Sequence, residues 1–241
     1  PRGREKPRFR LAVFPTIGTS IRSYMRNLNS HPAYAGLRDL RSAERAAGRS
    51  AQGTVLAPGL TRYSAKGDEY VRIIQEMIRR FEAHPEQQNP GRIGQMQGLD
   101  AGVKRTMDMV VSGRDDWKDI DQLFFRCVGA ALNELRETFP FFKGPFKDMG
   151  YQIQRYLPGE FYHWHIDGGS HEFSQRQLVV IWYLNDVPGP GGETEFLYQD
   201  VAIRPEQGKM VVFPPFWTHE HRGVTVEKGV KYIATTWVVF A

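Results

Sequence analysis

His165 and Asp167 stand two residues apart at the end of the stretch Tyr151-Gln-Ile-Gln-Arg-Tyr-Leu-Pro-Gly-Glu-Phe-Tyr-His-Trp-His-Ile-Asp167. In an extended strand residues i and i+2 point to the same face. An imidazole and a carboxylate then converge on one point, and each is a ligand for a divalent cation. Two ligands do not make a site, so a third must come from elsewhere in the chain. His219 and His221 are the candidates, sharing one parity on one strand. Two histidines and one carboxylate on one face of a metal form the triad of non-haem Fe(II) oxygenases, which leaves positions open for cosubstrate and oxygen. The His-x-Asp tripeptide alone is weak evidence, because it occurs by chance and a strand histidine is often an inert hydrogen-bonding group.

The elements that position these residues are legible from periodicity. From residue 149 onward the chain reads as successive strands, near 149–157, 160–166, 176–185, 193–198, 200–204, 209–213, 217–222 and 229–239, with turns rich in Gly, Pro, Asn and Asp. Gly191 and Gly192 read as a structural turn. Two helices precede these strands. Val71, Ile74, Ile78 and Phe81 follow three–four spacing and predict a helix over 68–83, with Asp68 as N-cap and His84-Pro85 as its end. Ile120, Phe124, Cys127 or Val128, Ala131 and Leu135 make one stripe of a longer helix over 116–137, with Asp115 or Asp116 at the cap and Pro140 as the stop. Residues 86–98 read as a Gly/Gln-rich loop and 103–111 as a strand. The expected fold is α+β and mainly β: a double-stranded β-helix (a cupin-like jelly roll) with buttressing helices packed on one sheet.

Composition sets the bounds. A chain of 241 residues with 41% hydrophobic content supports one large domain, or a domain and an extension. A single cysteine, Cys127, excludes an intramolecular disulfide framework, a Cys-ligated zinc site and an iron–sulfur cluster. No apolar run approaches the roughly 18 residues of a membrane span. The basic N-terminus lacks the apolar core of a signal peptide. A cytoplasmic, reducing location is expected, and no membrane partner. Residues 1–66 hold 13 Lys/Arg against 3 Asp/Glu, and the remainder 19 against 24. The expected organisation is therefore a basic, irregular extension over 1–66, with a short helix near 36–47, packed on a catalytic domain over 67–241. Within that domain, 67–148 is helical support and 149–241 the β-helix. The arginines of the extension are dispersed, which favours a solvated arm over a nucleic-acid patch.

From about 103 to 241, and most densely from 151, the sequence resembles the Fe(II)- and 2-oxoglutarate-dependent dioxygenases, specifically the prolyl 4-hydroxylase-like group. Four pieces carry the resemblance in order: Arg155 to Asp167; Arg176 through Tyr183 to Val187 with Gly191 to Phe196; Arg204 to Phe213; and His221 to Lys231, with Trp237 beyond. It implies His165, Asp167 and His221 as iron ligands. His221 is preferred to His219 because its ten-residue step to Lys231, with Gly229 between, matches the family pattern. A lysine within the apolar run 230–239 must lose its charge or find an anion. The resemblance supplies one, the distal carboxylate of 2-oxoglutarate. Thr235, on the same strand face, is a hydroxyl donor to it, and Tyr156 and Tyr183 match phenols that family members present to the cosubstrate. His163, Trp182 and Trp237 are candidate substrate-pocket residues, and Trp164, Phe216 and Trp217 flank the site.

The implied reaction is hydroxylation of an unactivated C–H bond, coupled to oxidative decarboxylation of 2-oxoglutarate to succinate and carbon dioxide. Its requirements are Fe(II), 2-oxoglutarate and dioxygen, with ascorbate as a possible reductant. The expected substrate is of amino-acid type: a prolyl or other residue in a polypeptide, or a free amino acid or related small molecule. Two other readings compete. One is a non-catalytic metal-binding jelly roll, which has no use for a carboxylate-anchoring lysine. The other is a nucleic-acid demethylase, which rests only on the basic arm.

Overall fold

The computed structural model describes residues 67–94 and 98–241, together with 39, 42–44 and 46–48. The basic extension therefore lies outside the described residues, apart from positions 39, 42–44 and 46–48; of these, 39, 42–44 and 46 are helical, within the expected 36–47 segment. Residues Val71–Ala241 form one compact unit, and its architecture follows from two helices and eleven strands. These are α1 (Gly67–Ala83), β1 (Asn89–Pro90), β2 (Met107–Val110), α2 (Lys118–Thr138), β3 (Phe146–Asp148), β4 (Gln152–Tyr156), β5 (Tyr162–His165), β6 (Arg176–Tyr183), β7 (Thr194–Phe196), β8 (Val201–Ile203), β9 (Met210–Phe213), β10 (His221–Gly223) and β11 (Lys231–Phe240).

All strand pairs are antiparallel and fall into two sheets. The seven-stranded sheet runs β1-β2-β4-β11-β6-β9, with β3 also pairing β11, and the four-stranded sheet runs β5-β10-β7-β8. Both helices pack on one face of the large sheet. Met77 and Phe81 of α1 and Ile120, Phe124 and Val128 of α2 meet Met109, Ile153, Val180, Trp182, Ala234 and Val238 there. The opposite face of that sheet carries Tyr156, Val179, Ile181, Tyr183, Phe213 and Ile233, which meet Phe196 of the small sheet. This is the expected mainly β, two-sheet fold with helices on one side.

Strand parity explains the division of side chains. Along β6, Leu178, Val180 and Trp182 turn toward the helices while Val179, Ile181 and Tyr183 turn toward the small sheet. A strand buried on both faces reads as a near-continuous apolar run, and β6 is one. Polar ties then fix the helix layer: Arg155 Nη1 reaches Glu82 at 3.0 Å, and the Tyr232 hydroxyl donates to the same carboxylate at 2.8 Å.

Several boundaries differ from the sequence expectation. Asp68 is the second residue of α1 rather than its cap. On α1, Val71 is exposed and Met77 is buried, so the apolar stripe is rotated from the one expected. Asp115 and Asp116 lie in a 3-10 turn, Asp115–Trp117, and the α2 cap is Trp117, without a side-chain hydrogen bond. The expected strand 217–222 is in fact a 3-10 turn, Trp217–His219, followed by β10. The Gly191-Gly192 turn holds: both glycines have positive φ, 84° and 85°, a region that disfavours a Cβ.

Phe124 bridges α2 and the sheet, with ring centroids 4.7 Å from Trp182 and 5.1 Å from Tyr151. Its truncation opens a cavity between the helix and the sheet. Phe124→Ala is expected to destabilise the fold by about 3–5 kcal/mol, read as a lower urea midpoint at unchanged m-value. An unchanged midpoint would show that the helix layer does not support the sheet.

Candidate active site

The cavity between the two sheets encloses about 360 Å³ and is lined from both of them. Its small-sheet wall carries the metal ligands. β5 and β10 pair so that His165 stands directly opposite His221, and the rings lie 4.2 Å apart. Asp167 follows two residues after the end of β5. One ligand atom from each of His165, Asp167 and His221 lies within 4.8 Å of the others. The Nε2 atoms of His221 and His165 stand 3.3 and 4.0 Å from Asp167 Oδ2.

Each ligand is aimed by a further contact. His165 Nδ1 donates to the His163 carbonyl at 2.7 Å, and His221 Nδ1 donates to the His219 carbonyl at 3.0 Å. The same i−2 backbone contact thus holds both rings with Nε2 toward the metal position, the orienting role that outer partners of metal ligands play. The Trp237 indole donates to Asp167 Oδ1 at 3.0 Å, which leaves Oδ2 facing the imidazoles. The Arg176 guanidinium donates to the Asp167 carbonyl at 2.7 Å and lies between the Phe173 and Trp237 rings, 3.9 Å from each centroid. Tyr162 stacks on His165 at 3.6 Å, and Phe213 and Phe196 pack on His221.

Electrostatics favour ligation. Burial first, and then the nearness of His221, pull the His165 imidazolium down to about 4, so the ring is neutral at neutral pH. Burial alone would raise the Asp167 carboxyl. Hydrogen bonding from His221, the adjacent imidazoles and the Trp237 indole outweigh it and hold the group well below the ordinary carboxylate range. Neutral imidazoles and an ionised carboxylate are the forms a divalent cation requires. Two nitrogen donors and one oxygen donor on one side of a point fit Fe(II) with open positions.

The large-sheet wall faces this triad. Lys231, Ile233, Thr235 and Trp237 of β11 all line the cavity, as their shared parity requires. Lys231 is 1% exposed. Its Nζ lies 4.8 Å from the Tyr156 ring centroid and 5.8 Å from that of Tyr183, with no carboxylate in ion-pair range among the described residues. Burial pushes the ammonium down to about 7, against a weak opposing pull from Glu193. Tyr156 lines the cavity and donates to Gln154 Oε1 at 3.1 Å. Tyr183 is fully buried and donates to Thr194 Oγ1 at 2.7 Å.

Three positions fall elsewhere than the sequence reading put them. Trp182 does not line the cavity: it packs among the helix-facing core residues, while its neighbour Tyr183 takes the opposite face of β6 and is buried in the second core cluster without lining the cavity itself. The His163 side chain is exposed and accepts from Trp164 N, so its backbone carbonyl, not its imidazole, serves the site. Trp217 is 72% exposed. His219, the competing ligand, contributes through its carbonyl and is absent from the triad. Sequence reasoning missed Thr194, Gln154, Lys104 and Asp108 as lining residues. Of these, Gln154 could have been found by parity with Tyr156, while the Lys104 position depends on long-range pairing.

Trp237→Phe removes the one indole that fixes Asp167. It is expected to weaken metal binding about 10–100-fold while the fold persists, measured by Mn(II) titration followed by electron paramagnetic resonance. An affinity equal to wild type would remove Trp237 from the metal site.

A family model described as the 2OG-Fe(II) oxygenase superfamily matches residues 151–239. The transmembrane prolyl 4-hydroxylase of Mus musculus is 29% identical over an alignment of 145 residues covering 36% of this chain and 29% of that protein, so this chain spans less than a third of that relative. Among solved structures, a Pseudomonas putida prolyl-4-hydroxylase superposes with TM-score 0.56 at 19% identity, over 72% of this chain and 88% of that one. A Trichoplax adhaerens prolyl hydroxylase, solved with a hypoxia inducible factor peptide fragment, gives TM-score 0.61 at 14% identity, over 71% and 78%. At these identities the structural likeness establishes the shared fold. The segment 151–239 that is similar to the 2OG-Fe(II) oxygenase superfamily contains the two histidines, the aspartate and the buried lysine that the structure brings into one cavity.

Proposed function

We propose that the protein is an Fe(II)- and 2-oxoglutarate-dependent hydroxylase acting on an unactivated C–H bond of an amino-acid substrate, either a prolyl or other residue of a polypeptide or a free amino acid. The observation that carries this reading is the buried ammonium of Lys231, without an ion-pair partner among the described residues, in the same cavity as the triad. A metal-binding module without activity would gain nothing from that lysine. Left alone, it is a desolvated charge; beside a dicarboxylate, it is compensated.

The residues divide the work. His165, Asp167 and His221 would hold Fe(II), which with 2-oxoglutarate and dioxygen supplies the oxidising power for C–H hydroxylation. Lys231 receives the distal carboxylate of 2-oxoglutarate, and Thr235, two pleat periods along the same face of β11, donates a hydroxyl to it. Tyr183 donates to Thr194, which leaves the Thr194 hydroxyl hydrogen free for the same carboxylate. Tyr156 forms the wall beside the anchored carboxylate. Trp237 and the two backbone carbonyls keep the ligands aimed, and the aromatic rings around His221 exclude water from the metal side. A reducing compartment suits both Fe(II) and the single Cys127 thiol. Members of this fold that carry prolyl hydroxylase names make prolyl peptides the first substrates to try.

Succinate release, measured with Fe(II) and 2-oxoglutarate across prolyl peptides and free amino acids, tests the reaction. Stimulation by at least one amino-acid substrate is expected; metal binding without 2-oxoglutarate consumption would leave the non-catalytic module instead. Lys231→Ala is expected to raise KM for 2-oxoglutarate roughly tenfold to a hundredfold, the worth of a charge-assisted hydrogen bond. The pH dependence has a definite sign. Below pH 7 Lys231 is already protonated and the anion meets a cation. Above it, binding must first take up a proton, so KM for 2-oxoglutarate should rise by up to about tenfold per pH unit. Lys231→Arg, whose charge is permanent, should flatten that rise; a KM indifferent to pH in the wild type would remove Lys231 as the anchor.

A further inference from the structure

Lys104 and Asp108 form a second charged cluster on the cavity wall that the chemistry above leaves unused. Lys104 Nζ lies 2.6 Å from Asp108 Oδ2, and the Thr106 hydroxyl donates to Asp108 Oδ1 at 2.6 Å. The lysine side chain is 4% exposed and the aspartate 13%, and both line the cavity.

The backbone fixes this lysine against the metal-binding strand. His163 N donates to the Val103 carbonyl and Arg105 N to the Phe161 carbonyl, each at 2.8 Å, so Lys104 pairs with Tyr162 across an antiparallel bridge. The Lys104 ammonium then lies 5.2 Å from the Tyr162 ring centroid, and that ring stacks on His165. From the outside, Gly91 closes on the cluster. Its N donates to the Thr106 carbonyl at 2.9 Å, and a Cβ there would collide with Thr106 Oγ1 and come within 2.7 Å of Lys104 Cε. A glycine is required for the loop to approach so near. Carboxylate, ring face and covering loop together hold the ammonium in one place.

A buried ion pair is poor evidence of stability, since apolar residues of equal volume serve as well. Its place on a cavity wall gives it another use. Arg92, at the rim, is engaged with partners of its own. The other charged lining residues are Lys104, Arg176 and Lys231 against Asp108 and Asp167, a surplus of one positive charge. Loading with a metal dication and the 2-oxoglutarate dianion leaves that surplus unchanged.

We propose that Lys104 is a specificity-determining residue that binds a carboxylate of the substrate, so that the enzyme prefers amino-acid substrates carrying an anionic group near the target carbon. The inference rests on the hydroxylase reading and names the substrate class for it. The carboxylate has two sources: the α-carboxylate of a free amino acid, or the side chain of an acidic residue beside the target in a peptide. A neutral prolyl peptide lacks both.

The test uses the whole chain loaded with Mn(II) and 2-oxoglutarate under anaerobic conditions, with binding read by calorimetry. Two matched pairs serve as probes: L-proline against L-prolinamide, and a blocked Pro-Glu peptide against its Pro-Gln counterpart. In at least one pair the carboxylate member should bind about tenfold or more tightly, as expected for a charged hydrogen bond. That preference should fall to near unity in Lys104→Met, which keeps the stem and removes the ammonium. Because this variant strands the Asp108 carboxylate, Lys104→Met with Asp108→Asn is the companion that restores neutrality, and its melting temperature reports the fold. The pair that discriminates identifies the source of the carboxylate. Equal binding of acid and amide in both pairs overturns the proposal, and so does a preference that survives in the neutral double variant. Failure of Mn(II) or 2-oxoglutarate to bind the wild type is a separate result, which overturns the hydroxylase reading beneath it.

Discussion

The register between β5 and β10 is the constraint on which the site depends. Antiparallel pairing sets His165 opposite His221, so two residues far apart in the chain meet without any side-chain search. The backbone hydrogen bonds that hold two short strands together therefore also hold two metal ligands together. A slip of one residue would turn one imidazole to the other face. Both rings are then kept in one orientation by the same local device, an Nδ1 bond to the carbonyl two residues before. Asp167 completes the triad just beyond the strand, where the chain leaves the sheet and Gly168 N donates to the Pro215 carbonyl.

Charge placement follows from that geometry. The small sheet and the turn after it gather a carboxylate and two imidazoles; the large sheet opposes them with an ammonium. Such a separation of charge across a buried space is unstable unless something of complementary charge fills it. A divalent cation at one wall and a dicarboxylate reaching the other satisfy both ends. The helix layer contributes from behind. It packs the far side of β6 and β11 with aromatic and aliphatic side chains, which keeps that face of the lysine strand out of water.

The polar tier between triad and lysine has its own logic. Gln154, Thr194 and Thr235 are buried hydroxyl and amide groups on the cavity surface. Tyr156 and Tyr183 satisfy two of them, and in doing so the phenols are themselves fixed rather than free to rotate. Burial holds both phenols above their usual range, Tyr183 at about 12, so they remain neutral donors.

How much of this was legible in the sequence depended on whether a feature was local. Spacing along one strand placed His165 with Asp167, and put Lys231, Thr235 and Trp237 on one face, because a period of two is intrinsic to extended backbone. The apolar stripe of α2 was readable for the same kind of reason. Parity also contained a warning: Trp182 and Tyr183 are adjacent, so one strand cannot turn both toward the cavity, and the tertiary packing gave Trp182 to the helices. The α1 stripe and the 3-10 turn at Trp217–His219 were set by packing and by chain reversal, which local periodicity does not encode. Pairing between distant strands decided the rest. It placed Thr194 beside Tyr183, and it brought Lys104 beside Tyr162. The sequence by itself determined which side chains could do the chemistry and which neighbours along one strand would share a face; only the tertiary structure decided which strands lie edge to edge, because that choice is made by hydrogen bonds and burial between segments many residues apart.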